Sequence, residues 1–199
     1  MHEIEYRAAR QIELREAVEG QPLELLGYAS TFDAPYEVDG MTETIARGAF
    51  ERTLREKPDV FAFIGHDPNR VIARTTNGSL ALQQDGHGLK VVLRPVDTQD
   101  GRDAATLVRT GTLDSMSFGF LVKDDSIEMR DGRLHREIRD VELHEVSIVA
   151  FPANANARIS TRARERADEL IREQRKSSRR VFLPPFPLAE LRSPTNGTV

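Results

Sequence analysis

Alternation with a period of two dominates the chain between residues 23 and 149, and this pattern is that of half-buried strands. Runs at 23–31, 60–64, 89–93, 117–122 and 141–149 are separated by turn-forming residues. Asp131-Gly132 lies between 126–130 and 133–138, and Asp85-Gly86 lies between 80–84 and 89–93. Asp-Gly supplies the positive φ values of tight hairpin turns, so two antiparallel hairpins are expected. Helical spacing occurs at 46–55, where Ala46, Phe50 and Leu54 form one stripe, and at 100–110, where Ala104, Leu107 and Val108 share a face before Gly111 as the C′ residue. The pattern predicts an α+β body, mainly β, with short helices outside the sheet or over a barrel mouth.

Composition narrows the function classes. The 199 residues carry 28 Lys/Arg and 32 Asp/Glu, a formal charge of −4, which gives no global attraction to nucleic acid. With 39% apolar residues, 6% aromatics and no Trp, one modest core is expected rather than a two-domain enzyme. The absence of Cys excludes a disulfide framework, a thiolate zinc site and a cysteine nucleophile. No apolar run reaches the ~18 residues of a membrane span, and Met1-His2-Glu3-Ile4-Glu5-Tyr6 lacks the flanks of a signal peptide, so a soluble chain is expected.

Charge divides the chain. Residues 1–157 hold 18 Lys/Arg against 27 Asp/Glu, whereas 158–180 hold nine against four. The break follows the Pro/Asn stretch at 151–156 and sets an expected boundary between a folded body, 1–157, and a basic helical segment with a Pro-containing tail, 158–199. In that segment Ala163, Ala167, Leu170 and Ile171 predict a helix over 161–176, with a thin apolar seam suited to a partner helix. Ser177-Ser178-Arg179-Arg180 is expected to break it, and Pro184, Pro185 and Pro187 keep the remainder extended. Its basic residues are interleaved with acids and lack a nearby aromatic before Phe182, a poor surface for nucleic acid.

Across 113–122, alternation puts Met116, Phe118, Phe120 and Val122 on one face and Ser115, Ser117, Gly119 and Leu121 on the other. Ser117 then points away from the core, and Gly119 removes bulk where a substrate backbone would approach. The same pattern fits an ordinary outer-face serine. A G-x-S-x-G elbow is absent, which argues against an α/β-hydrolase. A serine nucleophile needs a base, and the chain offers His2, His66, His87, His135 and His144. His66 ends an apolar run before the loop signal Asp67-Pro68-Asn69, a position held by scaffold yet open to ligand.

His144 and Glu145 stand side by side, and period two assigns them to opposite faces, so only one can serve as the third group. Glu145 is expected to share a face with Val141, Leu143 and Val149, where a buried carboxylate requires a partner such as His66 or an Arg. A metal site built from His66, His144 and a carboxylate lacks recognisable ligand spacing.

Three stretches then carry a resemblance: Phe63-Ile64-Gly65-His66-Asp67-Pro68; Leu113-Asp114-Ser115-Met116-Ser117-Phe118-Gly119-Phe120; and Leu143-His144-Glu145-Val146-Ser147-Ile148-Val149 followed by Pro152-Ala153-Asn154. Their order and spacing resemble the prohead (capsid maturation) serine protease family of tailed bacteriophages, from about Gly27 to Ala157. That family is similar in fold to herpesvirus assemblin, which implies a closed or nearly closed antiparallel β-barrel with flanking helices, and a homo-oligomer, frequently a dimer. The resemblance implies endopeptidase cleavage of phage scaffold and major capsid proteins inside the assembling prohead in the bacterial host cytoplasm, and the charge contrast of the 158–199 segment adds self-cleavage of that tail as an expectation. Acyl transfer of this kind needs no cofactor, and with the composition and spacing above no metal, no specific nucleic acid and no membrane partner is expected. The resemblance names Ser117 as nucleophile, His66 as general base and Glu145 as third member. Assemblin-like enzymes use a second His there, which makes His144 the alternative; Ser115 is the fallback nucleophile, and Arg74 is a candidate to assist a backbone oxyanion hole. Residues 158–199 are expected to deliver the enzyme to scaffold. The competing reading is a non-catalytic capsid-assembly module of the same fold.

Overall fold

The computed structural model describes residues 3–10, 12–15, 23–56, 58–150 and 161–180. Along the chain run β1 (Glu5–Arg10), β2 (Ile12–Arg15), β3 (Glu24–Thr31), β4 (Tyr36–Val38), β5 (Met41–Ile45), α1 (Glu51–Arg55), β6 (Phe61–Ile64) and β7 (Asp67–Arg74). There follow β8 (Leu80–Gln84), β9 (Gly88–Leu93), α2 (Gln99–Arg109), β10 (Ser115–Arg130), β11 (Arg133–Val149) and α3 (Thr161–Arg180). The expected boundary near 158, His2, the Pro152-Ala153-Asn154 motif and the Pro-containing tail lie outside the described residues.

The expected α+β, mainly β class holds, but the sheets are not closed into a barrel. A seven-stranded sheet has the order β1-β10-β11-β5-β4, with β6 pairing β11 and β7, and a separate four-stranded sheet has the order β2-β3-β9-β8. Closure fails for a geometric reason. One edge of β11 pairs with β10, while its other edge is shared in parallel by β5, against 134–138, and by β6, against 145–148. The sheet therefore forks at β11 instead of returning on itself. One apolar cluster joins both sheets, with Leu25, Ala29, Leu89, Val91 and Leu93 from the smaller and Met116, Phe118, Phe120, Val146 and Ile148 from the larger.

The runs at 117–122 and 126–130, and those at 133–138 and 141–149, fuse into two long strands. They turn at Asp131-Gly132, whose φ values of 49° and 78° are those the Asp-Gly signal anticipates. The 80–93 hairpin also forms, but Gly86 is not among the positive-φ glycines; instead the Asp85 carboxylate accepts from the amides of His87 and Gly88. This is an Asx-type turn, driven by the side chain rather than by glycine.

The first helix is shorter than expected, because Gly48 at φ 93° turns the chain before Glu51. The second closes as anticipated: Thr98 caps it by accepting from the Gly101 amide, and Gly111 follows the C-cap at φ 69°. The last helix continues through Arg180, past the expected break. Its seam does not await a partner, since Ala163, Ala167, Leu170 and Ile171 pack on Val38, Met41 and Leu134. Arg164 pairs with Asp39 and Arg166 with Asp125, tying the helix to the larger sheet. Among the described residues no helix is long and apolar enough to cross a membrane.

Candidate active site

β10 keeps its alternation: Met116, Phe118 and Phe120 enter the core, and Ser115, Ser117 and Gly119 take the opposite face. β11 does not. Ser117 pairs with Ser147 and Gly119 with Glu145, but Phe120 pairs with Leu143, so His144 is the extra residue of a β-bulge. The parity of β11 changes there, because Val141 and Leu143 belong to the core before the bulge, and Val146 and Ile148 after it. Glu145 therefore does not share a face with Val141 and Leu143. His144 and Glu145 both lie off the core face, contrary to a strict period of two, and the bulge turns Glu145 toward the serines of β10 and β11.

His66 reaches this face from a tight turn. Gly65 and His66 join β6 to β7 as a two-residue hairpin connection, at φ 65° and 62°, so the loop lies one step before Asp67-Pro68-Asn69, which opens β7. A left-handed conformation costs a non-glycine residue roughly 1–2 kcal/mol. Offsetting contacts hold it. The Gly65 amide donates to the Ile148 carbonyl (2.9 Å) and the His66 amide to Ser147 Oγ (3.2 Å), while His66 Nδ1 lies 2.6 Å from Glu145 Oε1. Ser147 Oγ in turn donates to Glu145 Oε2 at 2.5 Å. Both carboxylate oxygens are thus engaged in a side chain only 8% exposed, while the His66 side chain is 26% exposed. In a neutral imidazole whose Nδ1–H donates to the carboxylate, Nε2 carries the lone pair, the tautomer a general base requires.

Ser117 is closer in than its outward direction suggests. It is fully buried, and its Oγ donates to the Arg7 carbonyl of β1 at 2.8 Å; no hydrogen bond joins it to His66 among the described residues. The structure thus brings His66 and Glu145 together and places Ser117 across one strand pairing from Ser147. Ser115, also buried, donates to Asp114 Oδ1 at 2.7 Å. His144 Nε2 lies 3.4 Å from Glu142 Oε1, away from His66. Arg74 pairs with Asp59 and stacks over the Phe61 ring, 4.4 Å from its centroid. Gly119 does not open space for a substrate backbone: a Cβ there would lie 2.7 Å from Glu145 Oε1 and 2.9 Å from Tyr6 Cε1, so those side chains already fill it. Among the described residues no group of three or more His, Asp and Glu side chains is arranged to hold a metal ion.

Sequence reasoning missed three parts of this region. Ser147 stands two residues after Glu145, and that spacing is the signal that puts both on one face. Tyr6, whose ring meets His66 edge-on at 4.5 Å between centroids, lies in β1, a strand that N-terminal position alone does not announce. The third is a charged cluster on the core face of the same strands: Arg7 pairs with Glu5 and Glu43, and Arg136 with Glu5, Glu43 and Asp125. Burial alone would lower the Arg136 pKa, but hydrogen bonds and charge from Glu5, with Glu43 and Asp125, hold it above its ordinary value. Burial likewise pushes the Asp125 carboxyl up, and Arg136 and Arg166 outweigh it, leaving the net value lowered.

The chain is 30% identical over 148 residues to the prohead protease of Enterobacteria phage HK97, covering 74% of this chain and 63% of that protein's length. Its fold resembles that of the bacteriophage T4 capsid assembly protease, with a TM-score of 0.54 at 13% identity, covering 75% of this chain and 98% of the other. The family model for the Caudovirus prohead serine protease matches residues 10–170, and the chain belongs to that family.

Proposed function

We propose that this chain is a serine endopeptidase of phage capsid maturation, with Ser117 as nucleophile, His66 as general base and Glu145 as the group that orients the imidazole. The observation that carries this reading is the 2.6 Å pairing of His66 Nδ1 with a buried carboxylate, beside a strand serine. In the reaction, Ser117 Oγ exchanges its hydrogen bond to the Arg7 carbonyl for one to His66 Nε2. His66 takes the proton as Oγ attacks the scissile carbonyl, and it returns that proton to the leaving amine. Glu145 stabilises the imidazolium, and water repeats the sequence to release the acyl group. Active-site hydrogen bonds commonly tighten only with substrate bound, which is compatible with the resting contact to Arg7.

The substrates proposed are phage scaffold and major capsid proteins, together with this chain itself, inside the assembling prohead in the host cytoplasm. Membership of the prohead protease family and the likeness to the HK97 enzyme support this choice. Incubating the purified chain with its neighbouring scaffold and shell proteins should generate new N-termini that Ser117→Ala abolishes. Identical cleavage by Ser117→Ala removes that serine from the reaction, and no cleavage by either protein favours the assembly-module reading.

A further inference from the structure

Tyr6, Gly119 and Glu145 stand in one row across β1, β10 and β11. Because position 119 lacks a side chain, the Tyr6 ring and the Glu145 carboxylate converge above it. The His66 imidazole meets both. Its Nδ1 is engaged by Glu145, and its ring lies against Tyr6 with an interplanar angle of 60°. Such edge-to-face contacts are directional, since one ring's positive edge meets the other's negative face.

The backbone of His66 is already fixed by its left-handed turn and by the Ser147 hydroxyl. What remains free is rotation of the imidazole, and one hydrogen bond at Nδ1 leaves the ring able to swing about that contact. The Tyr6 ring stands against this swing. Tyr6 is 37% exposed, so the core does not explain its size, and it lies outside residues 10–170 matched by the family model. The phenol also stays neutral beside the carboxylate, because burial and then the charge of Glu145 raise its pKa above the ordinary value.

We propose that Tyr6 is a positioning residue, whose ring holds the His66 imidazole in the orientation from which Nε2 meets Ser117. This rests on the protease reading above. The ring performs the task and the hydroxyl does not, so Tyr6→Phe preserves it and Tyr6→Ala removes it; Tyr6→Leu keeps β1 covered while removing the ring.

The test uses the full chain in two arms. Steady-state kinetics on a peptide spanning a mapped scaffold cleavage site should show kcat falling roughly 10- to 100-fold in Tyr6→Ala and Tyr6→Leu, with KM unchanged and Phe restoring the rate. In a Ser117→Ala background, NOEs from the His66 ring protons to the Glu145 and Ser147 side chains should weaken or redistribute when Tyr6 becomes Ala or Leu and be retained with Phe. A rise in KM alone, an unchanged kcat, or His66 ring NOEs to Glu145 and Ser147 that persist in Tyr6→Ala and Tyr6→Leu overturns the proposal. Absence of turnover in the parent chain overturns the protease reading on which it rests, and the NMR arm then decides separately whether Tyr6 fixes the imidazole.

Discussion

The larger sheet carries two polar clusters on its opposite faces, one across β1, β5 and β11 and the other across β10 and β11. On the core side, Glu5, Arg7, Glu43 and Arg136 are at most 2% exposed, and the charges pair among themselves. On the other side, Glu145, Ser147 and Ser117 are buried as well, but His66 remains partly open and keeps one ring nitrogen beyond its pairing with Glu145. A closed cluster with matched charges has interaction partners but no capacity to act on a third molecule. A cluster that ends in a partly exposed imidazole retains that capacity. Under the function proposed above, one face serves stability and the other chemistry.

The comparison breaks most visibly at Glu145. Glu145→Gln keeps the shape of the side chain but removes the charge and the preference for the Nδ1–H tautomer, so turnover should fall roughly 10³- to 10⁴-fold, with little change in the unfolding midpoint. Near-normal turnover would mean that another group orients His66. On the closed face the effect is on folding. Glu43→Ala leaves Arg7 and Arg136 short of a buried partner and should lower the unfolding free energy by roughly 3–5 kcal/mol in urea titration; a loss within the range of a surface substitution would show the cluster to be solvated.

A smaller effect sharpens the pH behaviour of the closed face. The folded-state pKa of Asp125 is depressed, so its stabilising contribution is complete above the ordinary aspartate value of ~3.9 and is lost as pH falls through the lower folded-state value. Unfolding free energy should therefore drop on acidification below about pH 4 in the parent chain, and by less in Asp125→Asn. Equal acid sensitivity in the two proteins would remove Asp125 from that limb.

How far the sequence anticipates this division depends on whether local chemistry decides the outcome. Alternation along β10, the Asp131-Gly132 turn and the cap after α2 are local, and all three form as the residues suggest. The pairing of His66 with Glu145 was also within reach, because a carboxylate that cannot stay in water needs a partner. The face of Glu145 departs from a strict period of two, because one inserted residue in β11 reverses the parity and leaves no mark in composition. The barrel failed for a similar reason, since a fork at one long strand arises from pairing between distant segments. The buried charges were the least legible. Glu5, Arg7, Glu43 and Arg136 have the composition of a surface, and only their meeting in space, across up to 131 residues of sequence, makes them a core.

The claim on which the rest stands is that an alcohol at position 117 becomes nucleophilic through His66. Treatment of the chain with a serine-reactive fluorophosphonate, with peptide mapping by mass spectrometry, tests it most directly. The account predicts one adduct, on Ser117, that disappears in His66→Ala. An adduct on Ser115 instead, or labelling of Ser117 that persists without His66, would contradict it.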